Sequence, residues 1–175
     1  MSYETCILTT KDFTIVEVMR DRCPKDDPLA PILRRKIDTA IVMFRDDVPG
    51  DVATLSSRVS FSVDGRDPDT RVLSADRMAS PVGLFLPITT PRGLALLGLA
   101  EGEAFDFVNG DGAKERILLE KVHYQPEAAR RDREAMERAG QVARKPALRL
   151  IRGAFPAPLA PAAPAGPDDP GPAAA

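Results

Sequence analysis

Between Thr89 and Glu103 the chain reads T-T-P-R-G-L-A-L-L-G-L-A-E-G-E. Thr90 supplies a hydroxyl that caps orphan N–H groups, and Pro91 suits the first helical position, where its missing N–H is no loss. Leu94, Leu96, Leu97 and Leu99 then crowd a very short helical run. Gly98 is placed to stop the helix with a left-handed backbone. Isolated helices below roughly 12 residues are marginal in water. This one has to be held by packing, and the runs on either side of it are strand-like. The stretch therefore reads as a buried helix in the core of a small α+β domain.

A chain of 175 residues is enough for one ordinary domain with appendages. The hydrophobic fraction of 43% supports a core, but aromatics make up only 5% and there is no Trp. The formal charge of −2 gives no field that would draw nucleic acid or an anionic membrane. Any link to nucleic acid is then expected to run through another protein. Cys6 and Cys23 have no metal-ligand spacing, which is the cysteine usage of a reducing cytosol. No basic segment followed by an apolar stretch opens the chain, and no run approaches the ~20 apolar residues of a membrane span. A cytoplasmic, monomeric protein is expected, with no membrane partner, no small-molecule substrate and no cofactor.

Taken in order, residues 5–8 are a short apolar lead-in. Thr9 or Thr10 can cap a helix beginning near Lys11, with Asp12 in its first turn and Phe13, Ile15, Val16 and Met19 on its apolar face to about Arg20. Asp21 to Asp27 is a polar, proline-broken connection. A second helix is expected from Asp27 as N-cap and Pro28 at the first helical position, since Leu33, Ile37, Ala40, Ile41 and Phe44 recur at helical spacing through to Arg45. The pair reads as a short helical hairpin, an arm over residues 5–47.

Val48-Pro49-Gly50-Asp51 breaks the pattern, and beyond it the period changes to two. Val59, Phe61 and Val63 alternate with serines, and Asp64-Gly65 ends that strand. Further strands are expected at Arg71–Leu73, Val82–Ile88, around Phe105 and Phe107, and over Glu115–Tyr124. Asn109-Gly110-Asp111-Gly112 joins the last two as a hairpin. The expected fold is an antiparallel sheet around the short helix, over residues 48–128. Residues 129–175 form a charged helix and then a Pro/Ala-rich tail. Seven of the 17 prolines lie beyond Gly153, a composition that reads as disordered. In the helix, acids interleave with arginines, with Arg130–Glu134 and Arg133–Glu137 as expected pairs.

Three stretches in this order carry a resemblance: V-P-G-D-V-A-T-L-S-S-R-V from Val48, T-P-R-G-L-A-L-L-G-L-A-E-G-E from Thr90, and L-E-K-V-H-Y-Q-P-E-A from Leu119. Together they resemble the C-terminal domain of bacterial Gre transcript-cleavage factors. They are more similar still to the Rnk proteins, named as regulators of nucleoside diphosphate kinase. The resemblance covers about residues 5–128. It implies an FKBP-like twisted antiparallel sheet packed on a short helix, preceded by a coiled-coil arm. Two departures stand out. Relatives usually have Asn-Ser where this chain has Ser56-Ser57, and Arg92 stands where a small apolar residue is more usual.

The resemblance implies RNA polymerase as partner, with nucleic acid reached only through it. Asp76 falls near the acidic segment that such domains use at the rim of the polymerase secondary channel, with Ser80 and Pro81 following. Arg92, unfavourable for the dipole at a helix start, is a candidate surface contact or ion-pair partner. Asp21, Asp26 and Asp27 lie at the arm tip, where Gre factors carry two acidic residues that help hold a catalytic Mg²⁺. The arm is too short for that role, because its helices reach only ~15–27 Å at 1.5 Å per residue. Asp27 is explained as a cap. His123 is the sole histidine and belongs to a strand surface. No catalytic set and no metal site follows from the residues. The expected function is a non-enzymatic transcription regulator that binds RNA polymerase near its secondary channel and modulates elongation or competes with Gre-type factors. The alternatives are a Gre-type stimulator of transcript cleavage or a regulator of nucleoside diphosphate kinase.

Overall fold

The structure is a computed structural model and describes residues 5–75 and 83–143. Two small sheets and four helices make up the described fold. β1 (Cys6–Thr9) leads directly into α1 (Thr10–Arg22), with the Thr9 hydroxyl accepting the Asp12 N–H at 3.0 Å. α2 (Leu29–Asp38) follows, one residue later than expected: Pro28 takes the N-cap position, and Asp27 before it supplies the capping bond, its carboxylate accepting the Leu29 N–H at 2.8 Å.

α2 ends seven residues short of Arg45. The chain enters β2 (Ala40–Met43), which runs parallel to β1 with Cys6 opposite Ala40 and Thr9 opposite Met43. The apolar residues 40–44 fit a helical stripe by spacing. Ile41 and Val42 are β-branched, however, and a waiting strand edge tips such a run toward strand. Thr39 makes the break, its N–H and hydroxyl both donating to the Arg35 carbonyl. The N-terminal helices are therefore bracketed by strands. Cys6, Leu8, Val16, Ile32 and Leu33 share one continuous core with the main sheet.

The main sheet has the order β5-β4-β3-β7-β6, from β3 (Arg58–Val63), β4 (Asp69–Ser74), β5 (Phe85–Pro87), β6 (Ala104–Val108) and β7 (Lys114–Tyr124). Four of its strands pair antiparallel, but β5 lies parallel to β4, so the expectation of a wholly antiparallel sheet is corrected at that edge. Pro87 sits at the end of this edge strand, where its missing N–H is tolerated. Along β7, Ile117 and Leu119 are buried, and then the alternation slips. Phe61 faces Leu119 while Ser60 faces Lys121, an irregularity that skips Glu120. The slip turns Val122 toward the core in place of Lys121.

α3 (Pro91–Leu96) is the helix the sheet closes around, with Gly93, Leu94, Ala95 and Leu96 all buried. Thr90 caps it by accepting the Gly93 N–H at 3.2 Å. A Cβ on Gly93 would collide with the Pro87 carbonyl, so glycine is required by how closely the helix meets β5. Gly98 stops the helix at φ +80, and a Cβ there would lie 2.5 Å from the Cys6 sulfur. α4 (Pro126–Ala143) is anchored through its first turns and is largely exposed beyond Glu134 among its described side chains. Arg130–Glu134 forms at 2.7 Å as expected. Arg138, not an Arg133–Glu137 pair, supplies the second contact of that ladder, at 3.8 Å from Glu134.

Candidate partner-binding surface

At the tip between α1 and α2, Asp21 is engaged by the Arg20 guanidinium, with Nη2 at 2.9 Å and Nε at 3.1 Å from one oxygen. Asp27 is occupied by its capping bond. Asp26 is exposed and makes no hydrogen bond or ion pair among the described residues. The three acids are thus not gathered toward one point, and among the described residues no group of three His, Cys, Asp or Glu side chains could hold a metal. Around the tip, Arg20, Lys25 and Arg34 line a groove floored by Cys23, Ala30, Pro31 and Ile37. Asp38 lines the same groove and lies 3.8 Å from Arg34, so the groove carries both signs of charge.

Asp76, Ser80 and Pro81 lie outside the described residues. The strand that leads to them, β4, ends at Ser74, which is buried. Arg92 lies within the described residues. Its guanidinium forks onto Glu115 of β7, with Nε to Oε2 at 2.8 Å and Nη2 to Oε1 at 3.0 Å. Asn109 adds a third donor to the same carboxylate at 2.8 Å. These hydrogen bonds, Arg92 first, hold the Glu115 carboxyl below its ordinary range. Arg92 ties the start of α3 to the β6–β7 hairpin, which is the ion-pair reading.

His123 is exposed on β7, and its Nε2 lies 2.7 Å from the Ser60 hydroxyl, which in turn lies 2.6 Å from Thr70. This chain crosses three strands on the outer sheet face. No carboxylate is hydrogen-bonded to the imidazole among the described residues, so the arrangement is a cross-strand hydrogen-bond ladder.

Two buried polar groupings escaped the sequence reading. In the first, the Gln125 amide nitrogen donates to the carbonyls of Pro49 and Val52, both at 2.7 Å. Glu127, at the start of α4, accepts the Thr54 hydroxyl at 2.6 Å. The Ser57 hydroxyl accepts the Thr54 N–H at 3.1 Å, and Leu55 N–H points at the Asp12 carboxylate at 3.4 Å. Asp12 is 2% exposed, and burial raises its pKa to about 6, with the Glu127 charge adding to the rise against the opposing bonds from Leu55 and Thr9. The Gln125 carbonyl oxygen is buried with no partner among the described residues. In the second grouping, Lys36 is fully buried, donates to the Leu97 carbonyl at 2.7 Å and lies 4.4 Å from the centre of the Phe105 ring. That carbonyl terminates α3, where a cation is favoured by the helix dipole. A sequence signal for the first grouping existed in part, since all its residues but Asp12 fall in the motifs from Val48 and from Leu119; Asp12 reaches it from α1. Nothing in the spacing of Lys36 marks it as buried.

Fold and surface together define a small α+β protein whose recognisable motifs are structural joints around a short capped helix. The chain is similar to the regulator of nucleoside diphosphate kinase of Escherichia coli strain K12, at 28% identity over 131 residues, covering 74% of this chain and 96% of that one. The protein of the same name from Shigella flexneri matches at the same identity and coverage. The Rnk-like resemblance read from the motifs therefore holds. Among solved structures, the prokaryotic transcription elongation factor GreA/GreB from Nitrosomonas europaea superposes with a TM-score of 0.53 at 24% identity, covering 69% of this chain and 98% of that one, a likeness of fold. No family model matches the chain. Among the described residues, no helix is long and apolar enough to cross a membrane.

Proposed function

We propose that this chain is a non-enzymatic transcription regulator that binds RNA polymerase near its secondary channel and modulates elongation or competes with Gre-type factors. The observation that carries the reading is the conjunction of a fold shared with a GreA/GreB elongation factor and a tip at which two of the three carboxylates are committed locally. A cleavage stimulator needs oxygen ligands free to reach a Mg²⁺ ion. Here Asp21 serves Arg20 and Asp27 serves α2, which leaves Asp26 alone. The helices, 13 and 10 residues long, reach roughly 20 and 15 Å. The sheet is read as FKBP-like and the α1–α2 pair as a short version of the coiled-coil arm. The segment after β4 that contains Asp76, Ser80 and Pro81 is assigned as the rim contact. Arg92 fixes α3 through Glu115, and with its side chain 46% exposed it is also assigned as a partner contact.

The test is retention of the purified protein on immobilised RNA polymerase, followed by transcription from stalled complexes. Binding without transcript cleavage is expected. Absence of binding at micromolar protein would sink the proposal, and cleavage that disappears in Asp26→Asn/Asp27→Asn would replace it with the Gre-type reading. A second reading, regulation of nucleoside diphosphate kinase, is favoured only by the name that the curated relatives carry. A change in kinase activity on adding the pure protein, without polymerase present, would establish it.

A further inference from the structure

We propose that β2 is a self-association edge, pairing antiparallel with β2 of a second copy about a two-fold axis through Val42. The strand and the residue after it carry an uninterrupted apolar run, Ala40-Ile41-Val42-Met43-Phe44, at the open side of a two-stranded sheet. Ile41 is 45% exposed, Val42 44% and Phe44 77%. An open strand edge offers a row of N–H and C=O groups to any matching strand. Soluble proteins usually blunt such edges with charge or proline. This one has neither within the strand.

The register follows from hydrogen-bond parity. The Cys6 N–H donates to the Thr39 carbonyl, and Cys6 stands opposite Ala40. In a parallel pair, alternate residues direct both backbone groups to the neighbour. Thr39, Ile41 and Met43 therefore serve β1, and the Thr10 hydroxyl, donating to the Met43 carbonyl, agrees. Ala40 and Val42 direct theirs outward, and Phe44, just past the strand end, follows in parity although its carbonyl turns to the Asp47 N–H. A two-fold antiparallel pair must place one residue opposite itself, and an outward-facing residue there exchanges both hydrogen bonds with its copy. Ile41 or Met43 on the axis would instead form a non-hydrogen-bonded pair and set Phe44 opposite Asp38 or Ala40 opposite Asp46. Val42 is the central such residue.

With Val42 on the axis, the small Ala40 faces the large Phe44 of the second copy, and Ile41 faces Met43 on the other side of the ladder. Such aromatic and β-branched pairs are the units that stabilise a sheet. Arg45, which makes no hydrogen bond or ion pair among the described residues, comes opposite Thr39 of the second copy. There it meets the C-terminal end of α2, whose dipole and Asp38 carboxylate both attract a cation. Asp38 also comes opposite Asp46, a repulsion at each end of the ladder. The Phe44 carbonyl already accepts the Asp47 N–H. A pairing of this length buries less than the ~1,200 Å² of a standard stable interface, so the association is weak and reversible.

The experiment is sedimentation velocity on the full chain from roughly 5 to roughly 500 µM, the range in which interfaces below standard size associate. The weight-average mass is expected to rise from 18.9 kDa toward twice that value. Val42→Lys should hold it at the monomer with an unchanged melting profile. The register is read separately by cross-linking with oxidised glutathione in a Cys23→Ser background. Val42→Cys should join copies readily, because paired residues on the axis lie within disulfide reach, at about 5.5 Å between Cα atoms. Ile41→Cys, equally exposed but two places from its own copy and so roughly 7 Å or more away, should not. A monomer at every concentration overturns the proposal. So does dimerisation that survives Val42→Lys, or equal cross-linking at both positions.

Discussion

Replacing Asp12 by Asn keeps the shape of the side chain and an acceptor for the Leu55 N–H, but removes a charge from a site that is 2% exposed. Asp12 has a folded pKa of about 6 against an ordinary 3.8, raised first by burial. An acid with a raised folded pKa binds its proton more tightly in the folded chain than in the unfolded one. Between pH ~4 and ~6 the folded state therefore carries the extra proton, and stability falls as pH rises through that window. A shift of about 2 units corresponds to about 3 kcal/mol, lost by pH 7 relative to pH below 4.

Asp12→Asn removes this dependence. Urea denaturation at half-unit steps from pH 4 to pH 8 should give a variant that gains on the parent as pH rises. The difference should grow by up to about 3 kcal/mol and level off above pH ~6.5. Glu115, whose folded pKa is lowered by Arg92, works in the opposite sense. Its contribution is present above the ordinary carboxylate range and is lost as pH falls. It is common to both proteins and cancels in the difference. A stability difference that stays flat across the series would refute the reasoning, because burial of an ionised Asp12 would then carry no free energy.

Other substitutions test the joints. Ser56 has φ 67, a left-handed conformation that Asn and Gly adopt more readily. Ser56→Asn should raise stability by about 0.5–1 kcal/mol in thermal or urea unfolding, and an unchanged midpoint would mean the loop is not strained there. Gly93→Ala drives a methyl into the Pro87 carbonyl and should cost about 1–3 kcal/mol, read by the same unfolding curves; a neutral result would show that α3 can lift off β5. Gln125→Ala leaves the Val52 carbonyl without its donor and the Pro49 carbonyl with only the Val52 N–H at 3.3 Å, and should cost about 1–3 kcal/mol, with faster amide exchange over residues 49–55.

Local chemistry made most of the elements legible. The Thr90 cap, Pro91 and the Gly98 stop located α3 to within a residue, because these residues act through their own backbone neighbours. The strand alternation at Val59, Phe61 and Val63 was equally direct. What failed depended on partners far along the chain. Residues 40–44 satisfy a helical stripe and a strand equally well, and β1, more than thirty residues earlier, decides between them. The parallel placement of β5 is likewise a tertiary choice. Of the tip acids, Asp27 was legible as a cap from its place before Pro28, while the pairing of Asp21 with Arg20 came only from the geometry. Lys36 carries no spacing signal of burial, yet its ammonium reaches through the core to the carbonyl end of α3.

The motifs that carry the resemblance mark the joints of the fold, and that limits what they say about function. Val48 to Val59 and Leu119 to Ala128 meet through Gln125 on Pro49 and Val52, and through Glu127 on Thr54. T-P-R-G is a cap, a helix start, an ion pair to Glu115 and a close approach to Pro87. Each residue answers a packing or hydrogen-bonding need inside the chain, so each would persist whatever the protein binds. Substitution in these motifs should then lower binding and stability together. By the same reasoning, differences in function between this chain and its relatives belong on surfaces the motifs do not reach: the α1–α2 tip, the β2 edge and the segment after Ser74. A variant at one of those sites that changes polymerase binding while leaving the urea midpoint unmoved would identify the functional surface. If only motif variants changed binding, and did so at constant stability, the division between joint and surface would be wrong.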